Sequence, residues 1–497
     1  MRRNIDHHRQ GPARCYGRSG KARKEFEDRT AVEAGISLGF QSLEDEVRVD
    51  ALPVEGELPA WLTGSLLRTG PSKFEVGERS MAHWFDGLAM LHRFSFEAGG
   101  VSYASRFLES KAYRAATDTG EITYSEFATD PCRSLFKRAM SMFQPKLSDN
   151  DNVNLVKLGE RFVAMTETPL PIEFDPETLA AAGVAWEVPG QLTTAHPHME
   201  RDSGTMLNYA VKFGPRNQYR FFRLESDAAA GDDAEVISSA ATRQPAYMHS
   251  FGLTEKWIVL AEYPFVVNPL ALIFSGRPFI ENFRWKPDLG TRFTLIDRET
   301  GEKTGPFVTD PCFAFHHVNA YETEDGRVIA DVCTFDDHEI VESLYLGNLR
   351  NGASIPPPAL TRFTISPDTG SIESERLVEE PIDLPRINYG YSNGRPYRYA
   401  WGLGTDGTSF FDRIVAADVE QRTTKVWKET DCYPGEPVFA SEPGASGEAD
   451  GVLLSVVLDT AAETSFLLVL DAKTLEEKAR ATVPHHIPFN FHGQYVR

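Results

Sequence analysis

Arg292-Phe293-Thr294-Leu295-Ile296-Asp297, followed by Glu299-Thr300-Gly301, sets polar against apolar side chains and stops at an Asp/Gly turn. A half-buried strand entering a hairpin reads this way: period-two patterning, β-branched and aromatic residues, and turn residues that tolerate the chain reversal. Leu360-Thr361-Arg362-Phe363-Thr364-Ile365 before Asp368-Thr369-Gly370 repeats the pattern, and Val452 to Leu458 and Ser465 to Leu470 flank another short turn. The texture holds from about residue 45 nearly to the end. Helical periodicity is rare. Its clearest case is Pro131 to Phe143, where Leu135, Phe136, Met140 and Phe143 form an apolar stripe beside Arg133, Lys137 and Arg138. So many hairpins predict an all-β fold: a propeller, a pair of sandwiches or a large barrel. Seven propeller blades would have roughly 65 residues each against the usual ~40–50, the surplus forming long loops on one face. No blade signature such as a repeated Trp-Asp pair is present.

The 497 residues, 41% hydrophobic and 25% charged, have the balance of a globular chain with ample core material. No stretch approaches the ~20 apolar residues of a membrane-spanning helix. Net charge is 51 − 72 = −21, a field that repels phosphate backbones, so nucleic acid is not an expected partner. Cys15, Cys132, Cys312, Cys333 and Cys432 make no CxxC pair and no even-numbered framework, which points to a reducing compartment and against thiolate metal sites. Residues 1–30 stand apart with nine Arg/Lys against four acids, 9 − 4 = +5, and no apolar core of a secretory signal. We read residues 1–40 as a basic, disordered leader and 41–497 as one domain. The expected location is cytoplasmic.

Four histidine segments lie far apart in β-like, apolar settings. They are Thr194-Ala195-His196-Pro197, Tyr247-Met248-His249-Ser250-Phe251-Gly252, Phe315-His316-His317-Val318-Asn319-Ala320 and Phe489-Asn490-Phe491-His492-Gly493. From His196 to His249, His316 and His492 the gaps are 53, 67 and 176 residues. The first two match one blade each and the third somewhat under three, so inner strands of a propeller would bring such residues together on its axis.

With these segments the chain resembles the carotenoid cleavage oxygenases, from about Leu58 to the C-terminus. Leu62-Thr63-Gly64-Ser65-Leu66-Leu67-Arg68-Thr69-Gly70-Pro71 looks like the family's opening strand. His83-Trp84-Phe85-Asp86-Gly87-Leu88-Ala89-Met90-Leu91 looks like its H-x-F-D-G-x-x-M motif. The four histidine segments match the family's iron-ligand segments, among them F-H-x-x-N-A and the terminal F-H-G. The resemblance implies a seven-bladed β-propeller with an axial four-His iron site beneath a helical and loop cap. His316 and His317 point to opposite faces of a strand, and the F-H-x-x-N-A register selects His316. The implied ligands are therefore His196, His249, His316 and His492. His198, His317, His485 and His486 are expected outside the site, and His83 and His92 are read as structural. The resemblance further implies three carboxylates behind the ligands: Glu167 in Met165-Thr166-Glu167-Thr168, Glu436 in Gly435-Glu436-Pro437, and Asp383 in Asp383-Leu384-Pro385. The family more often has Glu at the last position. Asp is one methylene shorter, so its bond is expected through a water or a shifted backbone.

Neutral imidazoles bind a metal without cancelling its charge, and four leave coordination room for O2. Ligand type alone would admit Zn, Cu or Ni, and Fe(II) comes from the resemblance. The implied reaction is cleavage of a conjugated C=C bond of a carotenoid or apocarotenoid by O2, with no catalytic triad and no phosphate-binding loop. Asp149-Asn150-Asp151-Asn152-Val153-Asn154-Leu155-Val156 and the segment after Phe315 look closest to the animal-type branch, which includes β-carotene dioxygenases and the retinoid isomerohydrolase. Central cleavage of β-carotene to retinal is the first expectation. Eccentric or apocarotenoid cleavage is second, and a stilbene-cleaving dioxygenase, marked by a Tyr/Lys pair in the pocket, is third. A non-catalytic binding or scaffold propeller is the reading from a different class. A lipid-dwelling substrate also predicts peripheral attachment to a membrane surface. Phe265, Leu270, Leu272, Ile273 and Phe274, with the basic run Arg133 to Lys146, are the expected contact at the tunnel mouth.

Overall fold

The computed structural model of the protein describes residues 35–131, 148–228 and 234–497. The opening hairpin forms as read, with strands Thr291–Asp297 and Lys303–Thr309 pairing antiparallel. Asp297 makes the turn by accepting the N–H groups of Glu299 and Thr300 at 3.0 and 2.8 Å, the side-chain-to-backbone bond that suits Asp to reversals. Asp471 does the same for Lys473 and Thr474.

Hairpins of this kind assemble into seven sheets of four to six strands, with two small two-stranded sheets beside them, and the chain is a seven-bladed β-propeller. The first blade contains Gly64–Lys73, Leu88–Glu97 and Gly100–Phe107, with Gly493–Val496 on its inner edge. The second starts at Asn154–Leu158, the third at Leu192–Thr193, the fourth at Gly252–Leu253, the fifth at Phe313–Glu322, the sixth at Asp383–Arg386 and the seventh at Cys432–Pro434. Closure uses both ends of the propeller. Gly493–Val496 pairs with Gly64–Lys73, while the early strand Val54–Gly56 covers the outer edge of the seventh blade against Glu477–Val483. A ring so closed leaves no long unpaired inner edge. The apolar faces of the blades pack on one another, and the fifth blade's central strand Val328–Phe335 is buried along its whole length.

The long loops gather over one end of the axis. There His83 and Asp86 cap the short helix Trp84–Asp86, each side chain accepting a backbone N–H of the turn. Asn150 and Asn152 donate to the Gly87 carbonyl at 2.9 and 2.7 Å, joining the two polar motifs into one knot under the cap.

The leader was expected to reach residue 40, but Ile36 and Phe40 are 3% and 0% exposed. The Phe40 ring packs against Trp84, Phe410 and Phe489, with centroids 5.1 to 6.1 Å apart. Gly39 allows this approach, since a Cβ there would lie 2.1 Å from the Phe489 ring. The remainder of the expected leader, and of the helix expected over 131–143 from residue 132 onward, lies outside the described residues. Among the described residues no helix is long and apolar enough to cross a membrane.

Candidate metal centre

The structure brings His196, His249, His316 and His492 together on the axis, with one nitrogen from each within 4.8 Å of all the others. They come from the inner ends of the third, fourth, fifth and first blades. His196 sits in a loop fixed at its carbonyls. Asn208 Nδ2 donates to Thr194 O at 2.9 Å and Asn154 Nδ2 to Ala195 O at 2.7 Å. Ser250 Oγ, beside His249, donates to Phe315 O at 2.7 Å and so ties the fourth blade to the fifth.

Three of the rings are oriented from behind. His249 Nδ1 donates to Glu167 Oε1 at 2.7 Å, His316 Nδ1 to Asp383 Oδ1 at 2.8 Å, and His492 Nδ1 to Glu436 Oε1 at 2.7 Å. A carboxylate only accepts, so each Nδ1 carries the proton and each Nε2 a bare lone pair. His196 Nε2 lies 2.9 Å from His249 Nε2, and the two bare nitrogens His316 Nε2 and His492 Nε2 are only 3.2 Å apart. Lone pairs that close repel unless a cation lies between them. Two bonds of ~2.1 Å to one metal, roughly at right angles, separate nitrogens by about 3 Å. Burial lowers His249, lowers His492 to about 4 and takes His196 well below the ordinary imidazole range, so these rings are neutral and ready to ligate at pH 7. Charge points the same way. Arg68 and Arg386 offset two of the three carboxylates, 2 − 3 = −1, leaving a net negative charge that a divalent cation reverses.

The three carboxylates differ. Glu436 is fully buried; it lies 3.6 Å from Arg386 and 4.0 Å from Arg68, and it accepts the Gly493 N–H at 3.0 Å. Burial opposes its charge, but Arg386, His492 and Arg68 outweigh burial and hold it down at about 2. Glu167 is partly exposed and also accepts from Tyr247 Oη at 3.0 Å. Asp383 reaches His316 directly at 2.8 Å; of the two routes its shorter chain suggested, a water or a shifted backbone, the backbone is the one seen. The backbone makes up the methylene. Asp383–Arg386 is bulged against Tyr399–Gly404, Leu384 takes φ of 48°, and the Asp383 carbonyl presses on Gly402, where a Cβ would lie 2.6 Å away.

Two cavities meet at the histidines. One has His249, His316 and His492 at its floor and walls of Trp84, Phe85, Phe127, Phe315, Phe411 and Phe491. The other, beside His196, is more polar, with Lys157, His198, Arg386, Glu436 and Gln494 among its lining residues.

The family described as retinal pigment epithelial membrane protein matches residues 40–497. The chain belongs to the carotenoid cleavage oxygenase family. Among curated relatives, the mitochondrial carotenoid-cleaving dioxygenase of Macaca fascicularis is 36% identical over 92% of this chain and 93% of that protein. The human β,β-carotene 15,15'-dioxygenase is 33% identical over 89% of this chain and 91% of that protein. The cobalt-substituted Synechocystis apocarotenoid oxygenase superposes with a TM-score of 0.83 at 26% identity, covering 94% of this chain and 99% of that one. The expectation of a carotenoid-cleavage enzyme is thus met at the level of the family.

Five other histidines are engaged by partners outside the ligand set. His317 Nδ1 bonds Ser250 Oγ at 2.9 Å, His198 bridges Tyr389 Oη and Phe251 O, His83 meets Val341 O at 3.0 Å, and His92 meets Tyr103 Oη at 2.9 Å. His485 turns to the backbone of His486. The expected membrane contact divides. Leu270, Ile273 and Phe274, on the helix Pro269–Phe274, are 60, 45 and 69% exposed. Phe265 is a correction: it is buried against Phe283 and Phe313, because its strand Phe265–Val267 pairs inward with Phe283–Trp285. Leu272 points back onto the same core. The basic run from Arg133 to Lys146 lies outside the described residues. Sequence reading missed Arg68, Arg386, Tyr247 and Glu126. Arg68 had a signal, a lone cation inside the apolar run Ser65-Leu66-Leu67-Arg68-Thr69-Gly70.

Proposed function

We propose that the chain is an Fe(II)-dependent dioxygenase that splits a conjugated C=C bond of a carotenoid, R–CH=CH–R′ + O2 giving R–CHO + R′–CHO. The observation that carries this reading is the convergence of four imidazole nitrogens at the floor of an aromatic cavity. Imidazole suits several first-row metals, and family membership favours iron among them. Iron held by His196, His249, His316 and His492 would supply the binding and activation of O2. The rest falls to the chain's own residues. Glu167, Asp383 and Glu436 hold the rings, the aromatic walls bind and orient the polyene, and the apolar cavity keeps water from the reacting carbons. No side chain has to give or take a proton, since both oxygen atoms end in the two carbonyls.

Central cleavage of β-carotene to retinal is the first regiochemistry to test, supported by the relatives named for the 15,15′ bond. The stilbene alternative has less support: Tyr247 is engaged by Glu167, and no lysine lines the cavity among the described residues. We place the protein in the cytoplasm, attached reversibly to membranes through Leu270, Ile273 and Phe274, beside Phe279 at the cavity's edge. Flotation with liposomes tests that attachment, and Phe274→Asp is expected to leave the protein in the soluble fraction.

The deciding experiment is Fe(II) reconstitution without air, then aerobic incubation with detergent-dispersed β-carotene and product analysis. Retinal as the sole product, lost in His249→Ala, is expected. Aldehydes of unequal length would move the cleaved bond. One equivalent of iron with no product would move the substrate. A protein that binds no metal would sink the dioxygenase and favour a non-catalytic propeller.

A further inference from the structure

One wall of the largely aromatic cavity carries a carboxyl that holds no histidine and that the reaction does not use. Glu126 lines the cavity beside Ser125, Phe127 and Ser148. Its side chain is half-buried. Ser148 Oγ donates to its Oε1 at 2.7 Å. Among the described residues no arginine, lysine or histidine pairs with it, whereas the site carboxylates Glu167, Asp383 and Glu436 each hold a histidine. Burial, with Asp86 and Asp149 nearby, pushes its carboxyl well above the usual range and so favours the neutral form. A neutral carboxyl offers one donor and one acceptor to whatever fills the cavity.

The backbone holds this group in place. The Glu126 N–H donates to Thr129 O at 2.9 Å, closing a turn. That turn hangs on Asp86, which accepts from Ala128 N at 2.9 Å and from Thr129 Oγ1 at 2.6 Å. On the far side, Thr168 Oγ1 donates to the Ser148 carbonyl at 2.6 Å, so the Glu126–Ser148 pair is anchored beside the residue that follows Glu167. Burying a polar group against hydrocarbon without a new partner costs free energy. A cavity evolved for a pure hydrocarbon gains nothing from a carboxyl in its wall.

We propose that Glu126, with Ser148, is a specificity-determining subsite that hydrogen-bonds a hydroxyl or carbonyl oxygen on the substrate, so that the cavity prefers an oxygenated polyene over the hydrocarbon of the same skeleton. This rests on the polyene-cleavage reading for the identity of the ligand, but it is tested by binding as well as by turnover. A site built to bond a substrate oxygen discriminates against the analogue that lacks it, because its own polar groups are then left unpaired.

The test compares β-carotene with the same skeleton carrying a ring hydroxyl, and with an aldehyde-ended polyene. Quenching of tryptophan fluorescence by each polyene reports binding to the metal-free protein, since Trp84 lines the cavity. Turnover ratios are then taken on the Fe(II)-loaded enzyme. Wild type is expected to favour an oxygenated polyene by about tenfold, the worth of one hydrogen bond between neutral groups. Glu126→Leu is expected to abolish the preference while leaving hydrocarbon binding equal or tighter, and Glu126→Gln to restore most of it. A fold defect would lower both classes together, so the ratio separates selectivity from structure. An unchanged ratio in Glu126→Leu overturns the subsite. Polyenes that bind with the expected ratio but are never cleaved would sink the dioxygenase reading and leave the subsite standing.

Discussion

His492 and His196 meet at one point, their ring centroids 4.5 Å apart, but they arrive there by different means. His492 is held by Glu436, which is itself held by a backbone N–H, the buried Arg68 and the partly exposed Arg386. Arg68 adds bonds to the carbonyls of Glu436 and Phe491, both at 3.0 Å, so the cation braces the backbone at both ends of the pair. His196 has no carboxylate behind it among the described residues; its loop is held by bonds to its backbone carbonyls and by the Thr194 hydroxyl, which accepts the His196 N–H at 3.1 Å. One corner of the centre is rigid and charged; the other can adjust. A centre that must hold a metal and still admit a second ligand needs both, because a cage rigid all round fixes coordination number as well as position.

The largest effect that tests this contrast is loss of metal. His492→Ala is expected to lose bound metal after dialysis, whereas His196→Ala keeps a weakened fraction; equal retention by metal analysis would erase the difference. Next is Glu436→Ala. We expect a 10–100-fold loss of metal affinity and about 3–5 kcal/mol of stability, since Arg68 would be left buried without its partner. Glu167→Ala is expected to weaken metal binding with a much smaller drop in Tm. Chelator competition and thermal melts read the two quantities separately, and equal melting losses would contradict the assignment of the rigid corner. Third is Gly402→Ala, whose methyl would push the Asp383 carbonyl and loosen His316. We expect metal affinity to fall about tenfold, the low end for disturbing a ligand's support, and unchanged affinity would mean that the bulge is not what aims Asp383.

The smallest effect concerns pH. Protons compete with metal for Nε2, so metal is lost as pH falls. His492 is held down at about 4, so its ring is already neutral at pH 7, and crossing the ordinary imidazole value changes little. Release is expected only as pH approaches about 4, followed by metal analysis after equilibration. A release midpoint between pH 6 and 7 would mean that burial does not set the affinity.

Strands and turns were legible because period-two patterning and Asp-led turns are local. The Thr291–Asp297 hairpin needs nothing beyond its own residues. The histidines were legible as a set because their spacing follows the blades and their flanks match a family. What could not be read depends on contacts across the ring. Arg68 and Glu436 are 368 residues apart, and nothing near either one announces the pairing. The direct bond from Asp383 needed Leu384 in a left-handed conformation and a glycine on the facing strand, a backbone event that the side-chain alphabet does not spell. Phe265 and Phe274 share one apolar run, and only the turn at Asn268-Pro269 separates the residue that joins the core from the one that leaves it.

Every blade gives the centre one histidine or one carboxylate: histidines from the first, third, fourth and fifth, carboxylates from the second, sixth and seventh. The centre therefore works like the hub of a wheel whose spokes all end in the same few ångströms. No blade can tilt against its neighbour without changing a distance at the hub, so a spectrum of the bound metal would report on the soundness of the entire rim. The outer strands and rim loops carry no such obligation. Sequence drift and insertions can collect there while the seven innermost positions stay as they are.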